Sequence, residues 1–272
     1  MRAPTIGVFD SGVGGLSIFA AVRARLPGAN FAYCTDSGNF PYGTKTEAEV
    51  VACTYKATRR FIERARLDLL VVACNTASTV ALPHLRAQFQ VAVVGVVPAI
   101  KPAAELSVTG TIGLLATPGT VQRPYTSELI ATYATGLRVG LLGTSLLVDM
   151  AERKLRGEGV DLEALRREIR PLFDQSPTAN TERLDTVVLG CTHFPLLGAE
   201  LAAVAPWSVR WLDSSEAVAL RTASLVHEQG GGGASHHQAS GTPRFYCTRN
   251  DPSVAELTPA LVGLGFAPPE EL

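Results

Sequence analysis

Two cysteines stand in matching surroundings. Asp68-Leu-Leu-Val-Val-Ala-Cys74-Asn75-Thr76 and Asp185-Thr-Val-Val-Leu-Gly-Cys191-Thr192-His193 each run from an aspartate through an apolar stretch to a cysteine six residues on, followed by a polar pair. A single free cysteine is most often a small buried hydrophobe. That reading suits Cys34, Cys53 and Cys247, which lie in strand-like or helix-face positions. Cys74 and Cys191 differ, because each sits where an apolar run gives way to a polar loop. Two such thiols could form a disulfide. Alternatively, Cys191 with His193 could act as a nucleophile and its base, which leaves Cys74 without a task. Proton transfer on opposite faces of one carbon uses both. A planar carbanion has two faces, so inverting a stereocentre needs a base on one and an acid on the other. One thiol must then start as thiolate, although at an unperturbed pKa near 8.5 only a few per cent of cysteine is ionised at neutral pH. Asp10 beside one thiol and His193 beside the other are the candidate proton-handling partners.

The elements that would position these groups follow an α/β rhythm. Thr5–Asp10, Asn30–Asp36, Leu67–Cys74 and Val91–Val97 read as buried strands. Leu16, Phe19, Val22 and Leu26 fall at helical spacing and stop at Pro27-Gly28. Thr44 with Glu47 resembles a capping box for a helix with Val50, Cys53, Ala57 and Phe61 on one face. The chain also echoes itself. Thr5-Ile-Gly-Val returns as Thr111-Ile-Gly-Leu, 106 residues on, and the Asp68–Thr76 run returns 117 residues on. The echo predicts two similar α/β halves. Ligands in open α/β sheets bind beyond the carboxyl ends of the strands, so two facing halves would share a cleft holding both cysteines.

Asp10-Ser11-Gly12-Val13-Gly14-Gly15 follows the first strand and opens a helix, where free N–H groups attract anions. It is no dinucleotide fingerprint, because Ser17 stands where glycine is required, and no phosphate loop, because no Gly-Lys-Ser/Thr follows.

Composition narrows the function classes. In 272 residues, 24 cations against 25 anions leave a formal charge of −1, which gives no electrostatic footprint for nucleic acid or an anionic membrane. No apolar run reaches the roughly 18–20 residues of a bilayer crossing. The opening residues lack the long apolar region and small-residue site of a secretory signal. The five cysteines are odd in number and widely spaced, and read as reduced thiols of a cytoplasmic protein. Neither a CxxC nor a histidine cluster suggests a metal. The Gly/His-rich stretch 229–241 reads as a surface loop, with His236 and His237 solvated.

Four segments resemble, in order and spacing, the motifs of the glutamate racemase family of cofactor-independent amino-acid racemases. They are FDSGVGGLS (9–17), PYGTKT (41–46), VVACNTAS (71–78) and LGCTHFPLL (189–197). The resemblance implies two pseudo-symmetric, doubly wound lobes of mostly parallel sheet, with glutamate held in the cleft between them. The first lobe would span 1–97 with 210–272 and the second 98–209. It implies Cys74 and Cys191 as the acid/base pair, assisted by Asp10, His193 and Glu152. Asp10-Ser11, Tyr42-Gly43, Asn75-Thr76, Thr192-His193, Thr117 and Thr120 would bind substrate. Neither cofactor nor metal is implied, homodimers occur in the family, and the product, D-glutamate, feeds peptidoglycan synthesis. Related aspartate racemases carry His and Glu where this chain has Ser78 and His193. Two features depart from the family pattern: Asn39 replaces a common arginine, and 143–154 differs from the usual segment before the assisting glutamate. Read on its own, Glu152 beside Arg153 and Lys154 would equally suit a solvated helix face.

Three readings therefore stand: a glutamate racemase, a related enzyme acting on aspartate or another amino acid, and a two-lobed binding protein for a small anion.

Overall fold

A computed structural model of the chain describes residues 2–231 and 241–272. His236 and His237 lie outside the described residues. The chain divides into two compact units, Met1–Val96 with Ser215–Leu272, and Val97–Ser214.

The first unit opens with β1 (Thr5–Asp10), α1 (Leu16–Arg25), β2 (Asn30–Thr35), α2 (Glu47–Ala65), β3 (Leu69–Val72), α3 (Asn75–Gln88) and β4 (Ala92–Gly95). The strands pair in parallel, with β1 between β2 and β3. Parallel strands covered on both faces read as continuous apolar runs, and β3 is buried at all four positions. Phe61 of α2 and Leu67 lie so close over β1 that a Cβ on Gly7 would sit 2.3 Å from Leu67 Cδ1. The capping box that starts α2 is Thr46 with Glu49, not Thr44 with Glu47. Two Thr-x-x-Glu pairs overlap in the sequence. Thr44 is drawn into the 3-10 turn Tyr42–Thr44, and Thr46 takes the extended backbone that an N-cap needs.

The second unit contains α4 (Ile100–Leu106), β5 (Thr111–Ala116), α5 (Pro118–Gln122), α6 (Pro124–Tyr133), β6 (Arg138–Gly143), α7 (Leu146–Leu155), α8 (Leu162–Asp174), β7 (Thr186–Leu189), α9 (Gly198–Val204) and β8 (Arg210–Leu212). Its sheet order, β6-β5-β7-β8, repeats β2-β1-β3-β4 of the first. The registers repeat too. Ile6 lies opposite Leu69, and Ile112 lies opposite Thr186. Residues 210–212, expected to begin the return to the first lobe, instead form the edge strand of this second sheet on β7. The return begins at Ser215 with α10 (Ser215–Val226), and β9 (Arg244–Cys247), α11 (Pro252–Gly263) and β10 (Glu270–Glu271) follow. β9 extends the first sheet alongside β2. Behind it, Phe19, Tyr33, Phe245 and Phe266 form a contiguous aromatic cluster.

The two echoed aspartates do the same structural work. Asp68 Oδ2 accepts the Thr5 N–H at 2.8 Å, and Asp185 Oδ2 accepts those of Val108 and Thr109 at 2.7 and 3.0 Å. Each carboxylate ties the amino end of its strand to the approach of the central strand beside it. Burial works against the Asp185 charge, but hydrogen bonds from Thr109, Ser107 and Val108 outweigh it and hold the carboxyl below its usual range. Asp185→Ala should therefore cost about 1–3 kcal/mol of stability at neutral pH. Because the folded pKa is depressed, the deficit should be complete above pH about 4 and shrink as pH falls through the lower folded value. Urea unfolding of both proteins from pH 7 to pH 3 checks this, and a deficit independent of pH would contradict it.

Candidate active site

Main-chain hydrogen bonds at the carboxyl edges of both sheets place the residues that could react. In the first unit, Ala73 N–H donates to Phe9 O at 2.7 Å and Asp36 N–H to Asp10 O at 3.0 Å. In the second, Gly190 N–H donates to Leu115 O at 2.8 Å and Thr144 N–H to Ala116 O at 2.9 Å. Each catalytic candidate among the cysteines comes one residue after its clamp.

Cys74 is the N-cap of α3, in extended backbone, with Asn75 and Thr76 in the first turn. Its carbonyl accepts the Ser78 N–H at 2.9 Å. The Ser78 hydroxyl donates to Val72 O at 2.9 Å and accepts from Val96 N–H at 3.1 Å, which pins this turn to the ends of β3 and β4. A helix N-terminus carries partial positive charge and favours a thiolate. The Cys74 thiol donates to Ser11 Oγ at 3.5 Å. Ser11 belongs to the glycine-rich turn, where the Asp10 carboxylate accepts the Gly12 N–H at 3.0 Å. Tyr33 Oη donates to Gly12 O at 2.9 Å and Thr35 Oγ1 to Ser11 O at 3.3 Å, so hydroxyls of β2 hold that turn from behind. Gly15 lets the turn close, since a Cβ there would fall within 3.0 Å of both Ala73 Cβ and the Tyr33 hydroxyl. The Tyr42-Gly43 turn is fixed through Asp36, whose buried carboxylate accepts from the Tyr42 hydroxyl, Asn39 Nδ2 and Thr248 Oγ1. Burial first, and then Asp36, push the Tyr42 phenol up, and Tyr42 and Cys74 belong to one buried cluster.

The second unit builds the same position differently. Past Cys191 the chain makes a turn, with Phe194 N–H on Cys191 O at 3.1 Å, and a 3-10 segment Phe194–Leu197 in place of a long helix. A buried histidine stands in for the helix terminus. His193 Nδ1 lies 3.8 Å from Cys191 Sγ, and Nε2 lies 2.8 Å from Glu152 Oε1. Burial disfavours the imidazolium, yet the hydrogen bonds and charges of Cys191 and Glu152 outweigh it and hold the His193 pKa well above its ordinary value. As imidazolium, both ring nitrogens donate, one to the carboxylate and one toward sulfur. Glu152 is 7% exposed and so no solvated helix residue. Thr117 is the N-cap of α5, and its hydroxyl lies 3.0 Å from that of Thr120. Thr192 is buried between Cys191 and His193 in the sequence.

The structure thus joins Ser11 and Cys74 by a hydrogen bond, with Asp10 held on the same glycine-rich turn, and joins Glu152, His193 and Cys191 in a second group. Sequence reasoning passed over Tyr33 and Thr35, and it named Ser78 and Asp36 only as points of comparison with the family, without their hydrogen-bonding roles. The Asp36-x-x-Asn39 spacing, which read as a departure from the family pattern, is the one that the structure turns into a hydrogen bond. The other three cysteines lie in surroundings that favour the neutral thiol. Burial, then Asp36, raises Cys34 and Cys53, and burial with Glu271 and Asp251 raises Cys247 to about 11. Among the described residues, no group of three or more His, Cys, Asp or Glu side chains is gathered as metal ligands.

Comparison with known proteins gives this arrangement its setting. Residues 16–222 match the family model described as Asp/Glu/Hydantoin racemase. The chain belongs to the aspartate/glutamate/hydantoin racemase family. It is accordingly an isomerase of the racemase class. The chain is 47% identical over 269 residues to a glutamate racemase of Salmonella typhimurium, covering 99% of this chain and 92% of that one. Among solved structures it is similar to the Escherichia coli glutamate racemase in complex with L-glutamate and the activator UDP-MurNAc-ala. That match has a TM-score of 0.90 and 46% identity, and covers 100% of this chain and 98% of the other. The glutamate racemase isoform RacE1 of Bacillus anthracis matches with a TM-score of 0.81 at 27% identity, over 100% of this chain and 98% of that one. The fold class expected from the family resemblance, α/β with two mainly parallel sheets, is the one found. No described helix is long and apolar enough to cross a membrane.

The His193 pair has a pH signature. A pKa raised on folding adds stability that is full below the unfolded value of about 6.5 and fades as pH rises through the folded value. Glu152→Gln should therefore lower the urea midpoint most at pH 6, with the gap to the parent protein closing toward pH 10. A gap constant across that range contradicts the assignment.

Proposed function

We propose that this racemase interconverts L- and D-glutamate by two-base proton transfer at Cα, with Cys74 and Cys191 acting on opposite faces of one substrate and no added cofactor. The observation that carries the reading is the pairing of two thiols at equivalent positions, each beside positive polarity: the α3 N-terminus for Cys74, the His193 ring with its raised pKa for Cys191. In one direction a thiolate takes the Cα proton as the C–H bond breaks and an S–H bond forms. The opposite thiol then gives its proton to the other face of the carbanion and is left as thiolate. The enzyme finishes with the two protonation states exchanged, ready for the mirror-image reaction.

Asp10 and His193 serve the two thiols, and Glu152 holds His193. The hydroxyls, amides and N–H groups of Ser11, Tyr42-Gly43, Asn75, Thr76, Thr117, Thr120 and Thr192 take the substrate. A Cα proton is very weakly acidic, so donors aimed at the carboxylate, where charge develops, contribute most to the rate. Glutamate as substrate rests on the relatives of Salmonella and Escherichia coli. Ser78, locked between Val72 and Val96, and His193, locked on Glu152, occupy the positions where aspartate racemases differ. The role that follows is supply of D-glutamate for peptidoglycan synthesis in the cytoplasm.

Dialysed protein in D2O should exchange the Cα hydrogen of both glutamate enantiomers and invert them, and should leave aspartate untouched. Cys74→Ala and Cys191→Ala should each abolish inversion. Near-normal inversion by either variant rules out the two-base scheme, and binding of glutamate without any exchange favours a binding protein.

A further inference from the structure

Glu152 gives carboxylate oxygen Oε1 to His193. Its other oxygen, Oε2, lies 3.6 Å from Nη1 of Arg156, one helical turn further along. That is an ion pair rather than a hydrogen bond. The arginine is well held. Its side chain is only 18% exposed, and its backbone N–H closes α7 on the carbonyls of Arg153 and Glu152. A line of contacts therefore runs from Cys191 through His193 and Glu152 to Arg156, all within the second unit.

We propose that Arg156 is a positioning residue for the Cys191 half of the reaction, keeping the Glu152 carboxylate ionised and turned toward His193. The proposal rests on the two-thiol reading above. A carboxyl as buried as Glu152 tends toward its neutral form, and a neutral Glu152 would withdraw the charge that sustains the imidazolium. Guanidinium stays protonated at every working pH. It sits against the far oxygen, so it favours the carboxylate more strongly than it opposes the imidazolium beyond it. The two other cations of this stretch of α7 are otherwise engaged. On α7, Lys154 pairs with Glu200 at 2.7 Å and donates to Leu196 O at 2.8 Å, and Arg153 pairs with Glu158 at 2.7 Å. From the segment packed on α7, His193 faces Glu152 with Cys191 behind it, and on α7 itself Asp149, one turn before Glu152, adds a like charge. The spacing Glu152-x-x-x-Arg156 is the ordinary i,i+4 helix pair. Its burial and its continuation into His193 set it apart from the exposed pairs Arg59–Glu63 and Arg170–Asp174.

The test is a double-mutant cycle on the full chain, with kcat and kcat/KM for glutamate measured across pH. Arg156→Gln should lower kcat roughly 3- to 30-fold, and less than about twofold when introduced on top of Glu152→Gln, because its effect passes through that carboxylate. It should also move the acid limb of kcat/KM to higher pH, since Glu152 then protonates more readily, and Arg156→Lys should restore most of both. Equal fold-losses in the two backgrounds, or an acid limb that stays in place, overturn the proposal. If Arg156→Gln does not fold, Arg156→Lys against the parent decides by the same limb: a small shift to higher pH supports the proposal, and no shift with lowered kcat overturns it. Racemisation surviving in Cys191→Ala would instead bring down the two-thiol reading.

Discussion

The register of one strand on its central neighbour is the constraint on which the positions of both candidate cysteines depend. β3 runs beside β1 and β7 beside β5, and in each pair the last ladder bond falls on the residue before the cysteine, Ala73 on Phe9 and Gly190 on Leu115. A slip of one residue would turn every side chain of the strand to the other face. The buried apolar residues of β3 and β7 make that slip expensive, because each would have to exchange one packed face for another. The thiols are thus positioned by the cores beneath them more than by the loops that carry them. Position at the carboxyl edge then comes without further adjustment, since a parallel sheet presents all its carboxyl ends along one side.

What the backbone repeats, the side chains vary. Cys74 leans on a 14-residue helix and on Ser11, and Cys191 on a buried histidine backed by a carboxylate. The asymmetry is compatible with a reaction between mirror images. The equilibrium constant between enantiomers is unity whatever the protein does, so unequal surroundings cannot favour either product. In the proposed two-thiol scheme they can only decide which of the two proton transfers limits the rate in each direction. A chiral protein also meets the two enantiomers as different molecules, so identical surroundings for the two thiols would have no special advantage.

Much of this was legible in the sequence, because buried parallel strands announce themselves as apolar runs and their ends as abrupt polarity. The echo of Asp68–Thr76 in Asp185–His193 foretold a topology repeated strand for strand. Legibility failed where two local signals competed or where only packing decides. Thr44-Glu47 and Thr46-Glu49 are equally good capping pairs on paper, and the turn at Tyr42–Thr44 chooses between them. Arg210-Trp211-Leu212 is too short and too exposed to announce which sheet it joins. Glu152 sits among Arg153, Lys154 and Arg156, a run that reads as a solvated face until His193 is seen against it. The hydroxyl clamps of Tyr33, Thr35 and Ser78 bond to main chain across elements and so leave no periodic trace.

The repeated aspartates show how strand polarity divides labour. Six residues separate Asp68 from Cys74 and Asp185 from Cys191. At roughly 3.3 Å per residue in an extended strand, about 20 Å lies between carboxylate and thiol. Neither aspartate can exchange a proton with the cysteine that follows it, however regular the spacing looks. The regularity has another origin: the strand needs a fixed length to cross its sheet, an anion at the amino end to gather the N–H groups of the neighbouring approach, and a polar exit at the other. Selection for one sheet crossing, used twice, produces the same interval at both places. The groups gathered around the two cysteines come from other strands and helices, Ser11 and the Asp10 turn after β1, Glu152 on α7 through His193, which the interval does not encode.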